Sequence, residues 1–141
     1  DMFLLEVDGN TCHWHQVEAS GDVPQPRFGH TVNCTQFRGN RDCEFVLYGG
    51  YDGRRQMFGD LHRLDLRFDE ARSRFLVDSV LLCDGVGAPC PRYSHASFHR
   101  DGVLYVIGGA TFEFGDDPSV YAFSTKDGGK WYRVKTRVEG Y

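Results

Sequence analysis

The hydrophobic pattern is most regular in two short apolar segments, residues 45–48 and 104–107. Each is a run of β-branched, aromatic or aliphatic side chains that ends in a pair of glycines, at 49–50 and 108–109. Such a run predicts a strand covered on both faces, and the glycines predict a sharp turn or a close backbone approach at its end. The separation of the two pairs, 108 − 49 = 59, indicates an internal repeat.

Polar landmarks recur with a similar period. The segment 24–30 carries Pro-x-Pro-Arg, an aromatic residue, a small residue and His, and the same pattern returns at 89–95. A strand pattern that begins with Asp or Ser occurs at 60–65, at 119–124 and, once more, at 1–6. Internal repeats of this length are typical of solenoids, propellers and arrays.

The predicted strands follow one order in each period. Trp14 and Trp131 each begin a Trp-x-x-Val pattern, and Phe75 takes the tryptophan position of the copy between them. Helix signals are absent, and turn residues separate the short apolar or alternating runs. Four strands per period make each period one antiparallel four-stranded sheet, which is a propeller blade. The strands are predicted at about 2–7, 13–18, 27–35, 45–48, 61–66, 75–82, 92–98, 103–107, 120–124 and 131–138.

Taken together, these motifs resemble the kelch repeat over nearly the whole chain. The resemblance implies an all-β fold, a partial β-propeller of four-stranded antiparallel blades. It further implies that the strand after Arg27 or Arg92 is innermost and that the tryptophan strand is outermost. Residues 1–20 would then be the second half of a blade, and 24–82 and 89–138 two full blades. His62 and Phe75 stand where the family usually has tyrosine and tryptophan.

The blade count predicts uncovered surfaces. Closed propellers use about four to eight blades, and a blade needs neighbours on both sides to cover its apolar faces. About two and a half blades leave two faces open. We therefore expect further blades, from the rest of a parent chain or from other copies.

The composition is that of a folded globular module. Hydrophobic residues make up 40% of the chain and charged residues 26%. The formal net charge of −4 argues against nucleic acid as a partner. A membrane span would need an apolar run of about 18 residues, and the sequence has none. The five cysteines contain no Cys-x-x-Cys pair. They predict buried thiols in a reducing compartment, the cytoplasm or the nucleus, rather than disulfides or zinc ligands.

Recurrence favours a structural role for the repeated polar residues. A catalytic site is needed once, whereas a repeat needs the same contact in every blade. The predicted structural repeat positions are Arg27, His30, Gly49, Gly50, Arg92, His95, Gly108, Gly109, Trp14 and Trp131.

Other candidate chemistry is sparse, so we expect no catalytic residue, cofactor or metal. His13 and His15 lie beside Cys12 at alternate positions that could chelate zinc or copper, but the spacing suggests no third ligand. The carboxylates at 113, 116 and 117 lie in one loop and favour solvation over acid–base work. Neither a phosphate-cradling glycine loop nor a nucleophile elbow is present.

The remaining candidate surface is made of loops. In a four-stranded antiparallel blade, the loops between strands two and three and the connections between blades emerge on the same side. Loops 51–59 and 110–117 carry arginine, methionine and aromatic residues, as protein interfaces do. The alternative is that Phe58 and Phe112 tuck into the blade as loop anchors. The predicted partner-binding residues are Arg54, Arg55, Met57, Phe58, Phe112, Glu113 and Phe114.

The sequence thus predicts a protein–protein interaction module that binds a partner through these loops. The kelch resemblance implies scaffold, adaptor or substrate-recognition work. One alternative is an enzyme or a small-molecule or metal site at the propeller axis, as in the galactose oxidase relatives of this fold. The other is a structural subunit whose open blade faces dock into a larger assembly.

Overall fold

Every regular element of the described chain is a β-strand. The computed structural model describes residues 1–39, 41–113, 115–126 and 129–137. Within these ranges no helix is long and apolar enough to cross a membrane. The strands are β1 Met2–Asp8, β2 Thr11–Gly21, β3 Thr31–Phe37, β4 Cys43–Tyr48, β5 Leu61–Asp69, β6 Arg74–Cys83, β7 Ala96–Arg100, β8 Val103–Ile107, β9 Ala110–Thr111, β10 Gly115–Asp116, β11 Val120–Ser124 and β12 Trp131–Arg133.

Two sheets repeat one design. Strands β3, β4, β5 and β6 pair antiparallel in chain order and form the first blade. Strands β7, β8, β11 and β12 do the same and form the second blade. The short β9–β10 hairpin lies in the loop of the second blade that follows its glycine pair. The predicted fold, a partial all-β propeller of four-stranded antiparallel blades, is confirmed.

The half-blade, β1 and β2, is joined to the first blade in a way that the repeat does not predict. Glu18–Gly21 of β2 pairs in parallel with Leu76–Ser79 of β6, which makes one six-stranded sheet. Gly21 permits the approach, because a Cβ there would lie 2.2 Å from the Ser79 carbonyl oxygen. The Asp22 N–H donates to that same oxygen at 2.8 Å. The outermost strand of the half-blade, β2, is therefore hydrogen-bonded to the outermost strand of the first blade, β6.

The same contact explains a wrong prediction, the placing of Phe75 in the tryptophan position. Trp14 pairs with Leu5 and Trp131 pairs with Phe123, whereas Leu64, one period after Leu5, pairs with Ser79. Ser79 is buried against Asp22, and its hydroxyl donates to the Asp22 carbonyl at 2.8 Å. An indole at this position would occupy the space where the two backbones meet.

The inner strands begin four residues later than predicted. Gly29 and Ser94 hold φ angles of 65° and 54°, in the left-handed region that ends an extended segment. The chain therefore turns between Arg27 and Thr31, and the equivalent turn precedes Ala96. The outermost strand of the second blade ends at Arg133 rather than at 138, a position outside the described residues.

The core lies between the sheets in two layers. In β4, Cys43 and Leu47 face the half-blade, whereas Val46 and Tyr48 face the second blade. This strand is therefore covered on both faces, as its apolar run predicts. The layer towards the half-blade contains Val17, Cys43, Leu47, Leu64, Leu66, Phe75 and Val77, and the layer between the two blades contains Val46, Tyr48, Leu61, Leu104, Val106 and Phe123.

The two tryptophans occupy equivalent positions with different surroundings. Trp131 packs on Tyr48 and Phe123, with ring centroids 4.8 and 5.2 Å away. Trp14 is 71% exposed, on the face of the half-blade that also exposes Leu5. Of these two tryptophans, only Trp131 has a preceding blade beside it, and only its indole is packed.

Candidate functional site

Two repeated arginines hold the ends of the strands from which the loops emerge. In the first blade, Arg27 donates to the Gly49 carbonyl at 3.1 Å and, through both terminal nitrogens, to the Asp60 carboxylate at 2.5 and 3.0 Å. In the second blade, the fully buried Arg92 donates to the Gly108 carbonyl at 2.8 Å and to Asp117 at 3.0 Å. The same pair of partners in both blades supports the structural assignment of these arginines.

A third side chain completes each network. His62 Nε2 lies 2.9 Å from the Asp60 carboxylate, and the Tyr121 hydroxyl donates to Asp117 at 3.1 Å. His62 thus takes the part of the family's usual tyrosine. Burial alone would raise the pKa of both aspartates, but the hydrogen bonds that they accept outweigh it and hold each pKa far below its ordinary value. Each arginine therefore keeps its counter-charge.

One of the two repeated histidines, His95, lies at the junction of the two blades. His95 is buried, its Nε2 lies 2.9 Å from Thr31 Oγ1, and its ring meets Tyr48 edge-on at 5.3 Å. Burial, and then the charge of Arg92, lower the pKa of His95 to about 4. The imidazole is therefore neutral at pH 7, as a packing group between blades should be. Burial, and then Arg27, also lower the pKa of His30.

Loop 51–59 of the first blade is held in one shape by Asp52. One Asp52 carboxylate oxygen accepts the backbone N–H groups of Arg54, Arg55 and Gln56 at 2.8, 2.9 and 2.9 Å. Backbone hydrogen bonds from Gln56 and Arg54 lower the pKa of this carboxyl. Both arginine side chains are exposed at the tip. The loop therefore presents two guanidinium groups on a rigid turn.

The structure corrects the prediction for Phe58 and separates it from Phe112. Phe58 is only 5% exposed, and the Arg27 guanidinium carbon lies 3.8 Å from its ring centroid. It anchors the loop and is not available to a partner. Phe112 is 64% exposed, and Glu113 beside it is exposed as well. Met57 is half-buried. Phe114 lies outside the described residues.

Phe112 belongs to a group of four rings, Phe28, Tyr51, Tyr93 and Phe112, which we call the aromatic cluster. The Tyr51 centroid lies 5.5 Å from Phe28, 5.4 Å from Tyr93 and 6.1 Å from Phe112. Phe28 is 52% exposed, and both tyrosines are half-buried. The cluster therefore spans the junction of the two blades on the loop side and offers a partly exposed apolar surface.

Sequence reasoning misses three members of this cluster. The strand pattern predicts Phe28 and Tyr93 inside the inner strands, but each precedes the left-handed turn, which directs its backbone to the loops. Isolated bridges pair Phe28 with Tyr51 and Tyr93 with Ala110. The signal that could have found Phe28 and Tyr93 is the aromatic residue that follows the repeated arginine in both periods.

The possible metal ligands His13 and His15, beside Cys12, do not form a metal site within the described residues. His15 Nε2 lies 2.9 Å from a Glu6 carboxylate oxygen. Across the described ranges, His, Cys, Asp and Glu form no group of three or more that could hold an ion.

Comparison with known proteins places the chain in a family. The model described as the KLHDC2/KLHL20/DRC7 Kelch-repeats domain matches residues 1–140. Acyl-CoA-binding domain-containing protein 6 of Oryza sativa subsp. japonica is 35% identical over 112 residues, which are 79% of this chain and 15% of that protein.

Two further relatives are proteins of other kinds. Serine/threonine-protein phosphatase BSL2 of Arabidopsis thaliana is 29% identical over 131 residues, 93% of this chain and 12% of that protein. Host cell factor of Drosophila melanogaster is 30% identical over 112 residues, 77% of this chain and 7% of that protein. The chain thus spans at most 15% of the length of these relatives. The matched residues are those that build the blades, and the chain belongs to the kelch-repeat family.

Proposed function

We propose that this chain binds a protein partner through the aromatic cluster together with Arg54, Arg55 and Glu113, in a scaffold, adaptor or substrate-recognition role. Kelch-repeat domains are in general protein-interaction modules and are typically non-enzymatic. The observation that carries the proposal is the partly exposed cluster of four rings on the loop side of the blade junction.

The composition and rigidity of this surface suit protein recognition. Aromatic and arginine side chains supply most hot-spot energy in interfaces, because they bury much apolar area in well-packed contacts. Phe58 under Arg27 and the Asp52 hydrogen bonds already fix the loop. Little backbone entropy of the loop then remains to be lost on binding, which favours affinity.

Capture of partners from a lysate tests the proposal. The double variant Arg54→Glu, Phe112→Ala is expected to abolish capture while leaving circular dichroism unchanged. The matched control, Arg67→Glu with Phe37→Ala, changes an exposed arginine and an exposed phenylalanine at the other end of the strands. Capture that survives the first double variant, or is lost equally in the control, contradicts a binding role for this surface.

A second role, docking of further blades, rests on a comparison within the chain. A Cβ on Gly49 would lie 2.7 Å from the Arg92 carbonyl oxygen and 2.8 Å from the His95 ring, so this glycine receives the next blade. A Cβ on the equivalent Gly108 would meet only the Asp117 carbonyl, at 3.7 Å, and Gly108 borders a cleft of about 490 Å³.

The inner strand of the second blade also leaves an apolar side chain uncovered. Ser97 of β7 contacts Asn33 of the first blade, so Phe98, the next residue, points to the opposite face. There it stacks on Tyr105 at 4.8 Å and is 46% exposed. We propose that another blade covers this face.

Analytical ultracentrifugation of this chain tests the docking role. The chain should self-associate, because an apolar sheet face is left in water. A monomer at high protein concentration would contradict the docking role.

A further inference from the structure

We infer that the partner segment binds the aromatic cluster by an aromatic or long aliphatic anchor and places acidic side chains over Arg54 and Arg55. This inference rests on the proposed function, since it names the chemistry that the same surface would select.

The two arginines at the loop tip carry more positive charge than Asp52, the one carboxylate of their loop, can offset. Neither Arg54 nor Arg55 takes part in an ion pair within the described residues. The neighbouring carboxylate in the same loop, Asp52, directs an oxygen to the backbone N–H groups of the turn. Two guanidinium groups beside this carboxylate leave a positive tip, and arginine binds carboxylates, as it does phosphates, in bidentate fashion.

The position of the anchor limits where the acidic residues can lie. Tyr51 belongs to the aromatic cluster and is three residues from Arg54 in the same loop, so the two Cα atoms are at most about 11 Å apart. An extended partner strand covers that distance in about three residues. Acidic residues are therefore expected within about four positions of the anchor.

The loop that the second blade contributes to the cluster carries the opposite charge. Glu113 is exposed beside Phe112, and its carboxylate accepts a weak bond from the Cys90 thiol at 3.6 Å. A carboxylate here disfavours acidic residues on that side of the anchor. The surface thus fixes the direction of the partner, with its acidic end over Arg54 and Arg55.

Selection from a displayed library of random dodecapeptides on the immobilised chain tests the inference. Enriched sequences should place Asp or Glu within four positions of an aromatic residue or leucine, on one side only. The best enriched peptide, fluorescein-labelled, is then titrated by fluorescence polarisation. Arg54→Glu with Arg55→Glu is expected to weaken its Kd by tenfold or more, and added salt is expected to weaken it too. The control Arg67→Glu with Arg72→Glu is expected to leave Kd unchanged.

The outcomes separate this inference from the proposed function. Enriched peptides without acidic bias, or a Kd that is unchanged by the double reversal yet lost in Phe112→Ala, overturn the inference and leave the binding surface in place. A library that yields no binder also overturns it. The proposed function itself fails in a different experiment, if capture from a lysate does not depend on Arg54 and Phe112.

Discussion

Replacing Asp117 by asparagine tests whether the Arg92 network stabilises the second blade. The change keeps the size of the side chain and one acceptor oxygen but removes the negative charge. Arg92 is then a fully buried guanidinium without a counter-charge, although its bonds to the carbonyls of Gly108 and Cys90 remain. The bonds that Asp117 accepts from Ser119 and Tyr121, at 3.0 and 3.1 Å, weaken as well.

The expected loss follows from this geometry. Breaking a buried ion pair by removing one partner costs about 3–5 kcal/mol. Because two carbonyl bonds still solvate the guanidinium, we expect the lower end, about 3 kcal/mol. A domain of this size has about 5–15 kcal/mol of stability in total, so Asp117→Asn should shift the urea midpoint strongly at pH 7 with an unchanged m-value.

A matched substitution supplies the control. Asp101 forms an ion pair with Arg100 at 3.3 Å in which both side chains are exposed. Asp101→Asn should therefore cost under about 1 kcal/mol. A loss for Asp117→Asn that is below about 1 kcal/mol, or equal to that of the control, would refute the assignment of the Arg92 network as a structural element.

Three further predictions compare equivalent positions or states. Trp131→Ala should cost about 3–5 kcal/mol of unfolding free energy because the indole packs between blades, whereas the exposed Trp14→Ala should cost under about 1 kcal/mol; equal losses in urea unfolding would contradict the repeat geometry. Gly49→Ala should destabilise by about 2–4 kcal/mol through strain and a clash with the next blade, and Gly108→Ala, with a similar φ, by only about 1 kcal/mol; the thermal midpoints check this. The pKa of His95 falls from 6.5 to about 4 on folding, so the unfolded chain takes up the proton first and stability falls as the pH drops from 6.5 towards 4, by about 3 kcal/mol. His95→Gln should flatten that slope in urea titrations at several pH values, and an unaltered slope would show that other groups cause it.

Much of the fold could be predicted because the repeat specifies it locally. Leu5, Leu64 and Phe123 recur at a constant interval, since 64 − 5 and 123 − 64 both equal 59, and they occupy one register position in three units. The paired glycines predict a close approach, and at Gly49 the next blade does approach to within a clash of any Cβ. Such features follow from short segments whose chemistry is repeated.

The rest depends on contacts between distant segments. The parallel pairing of β2 with β6 depends on Gly21 meeting Ser79, and no pattern within either strand indicates it. The burial of Phe58 depends on Arg27, which lies before the inner strand of the same blade, reaching over its ring. By composition alone Phe58 and Phe112 are equal candidates for an interface, and only the packing of the loop separates them.

The repeated and the non-repeated polar residues have different surroundings. Arg27 and Arg92 each donate to a glycine carbonyl of their own blade, and His95 contacts Thr31 across the blade junction. These repeated side chains therefore make structural contacts. Arg54 and Arg55 have no counterpart in loop 110–117, which has Glu113 instead. The fold does not depend on these exposed charges, since surface charges contribute little to stability. The turn that holds these two arginines beside exposed rings is therefore the basis of the proposed partner binding.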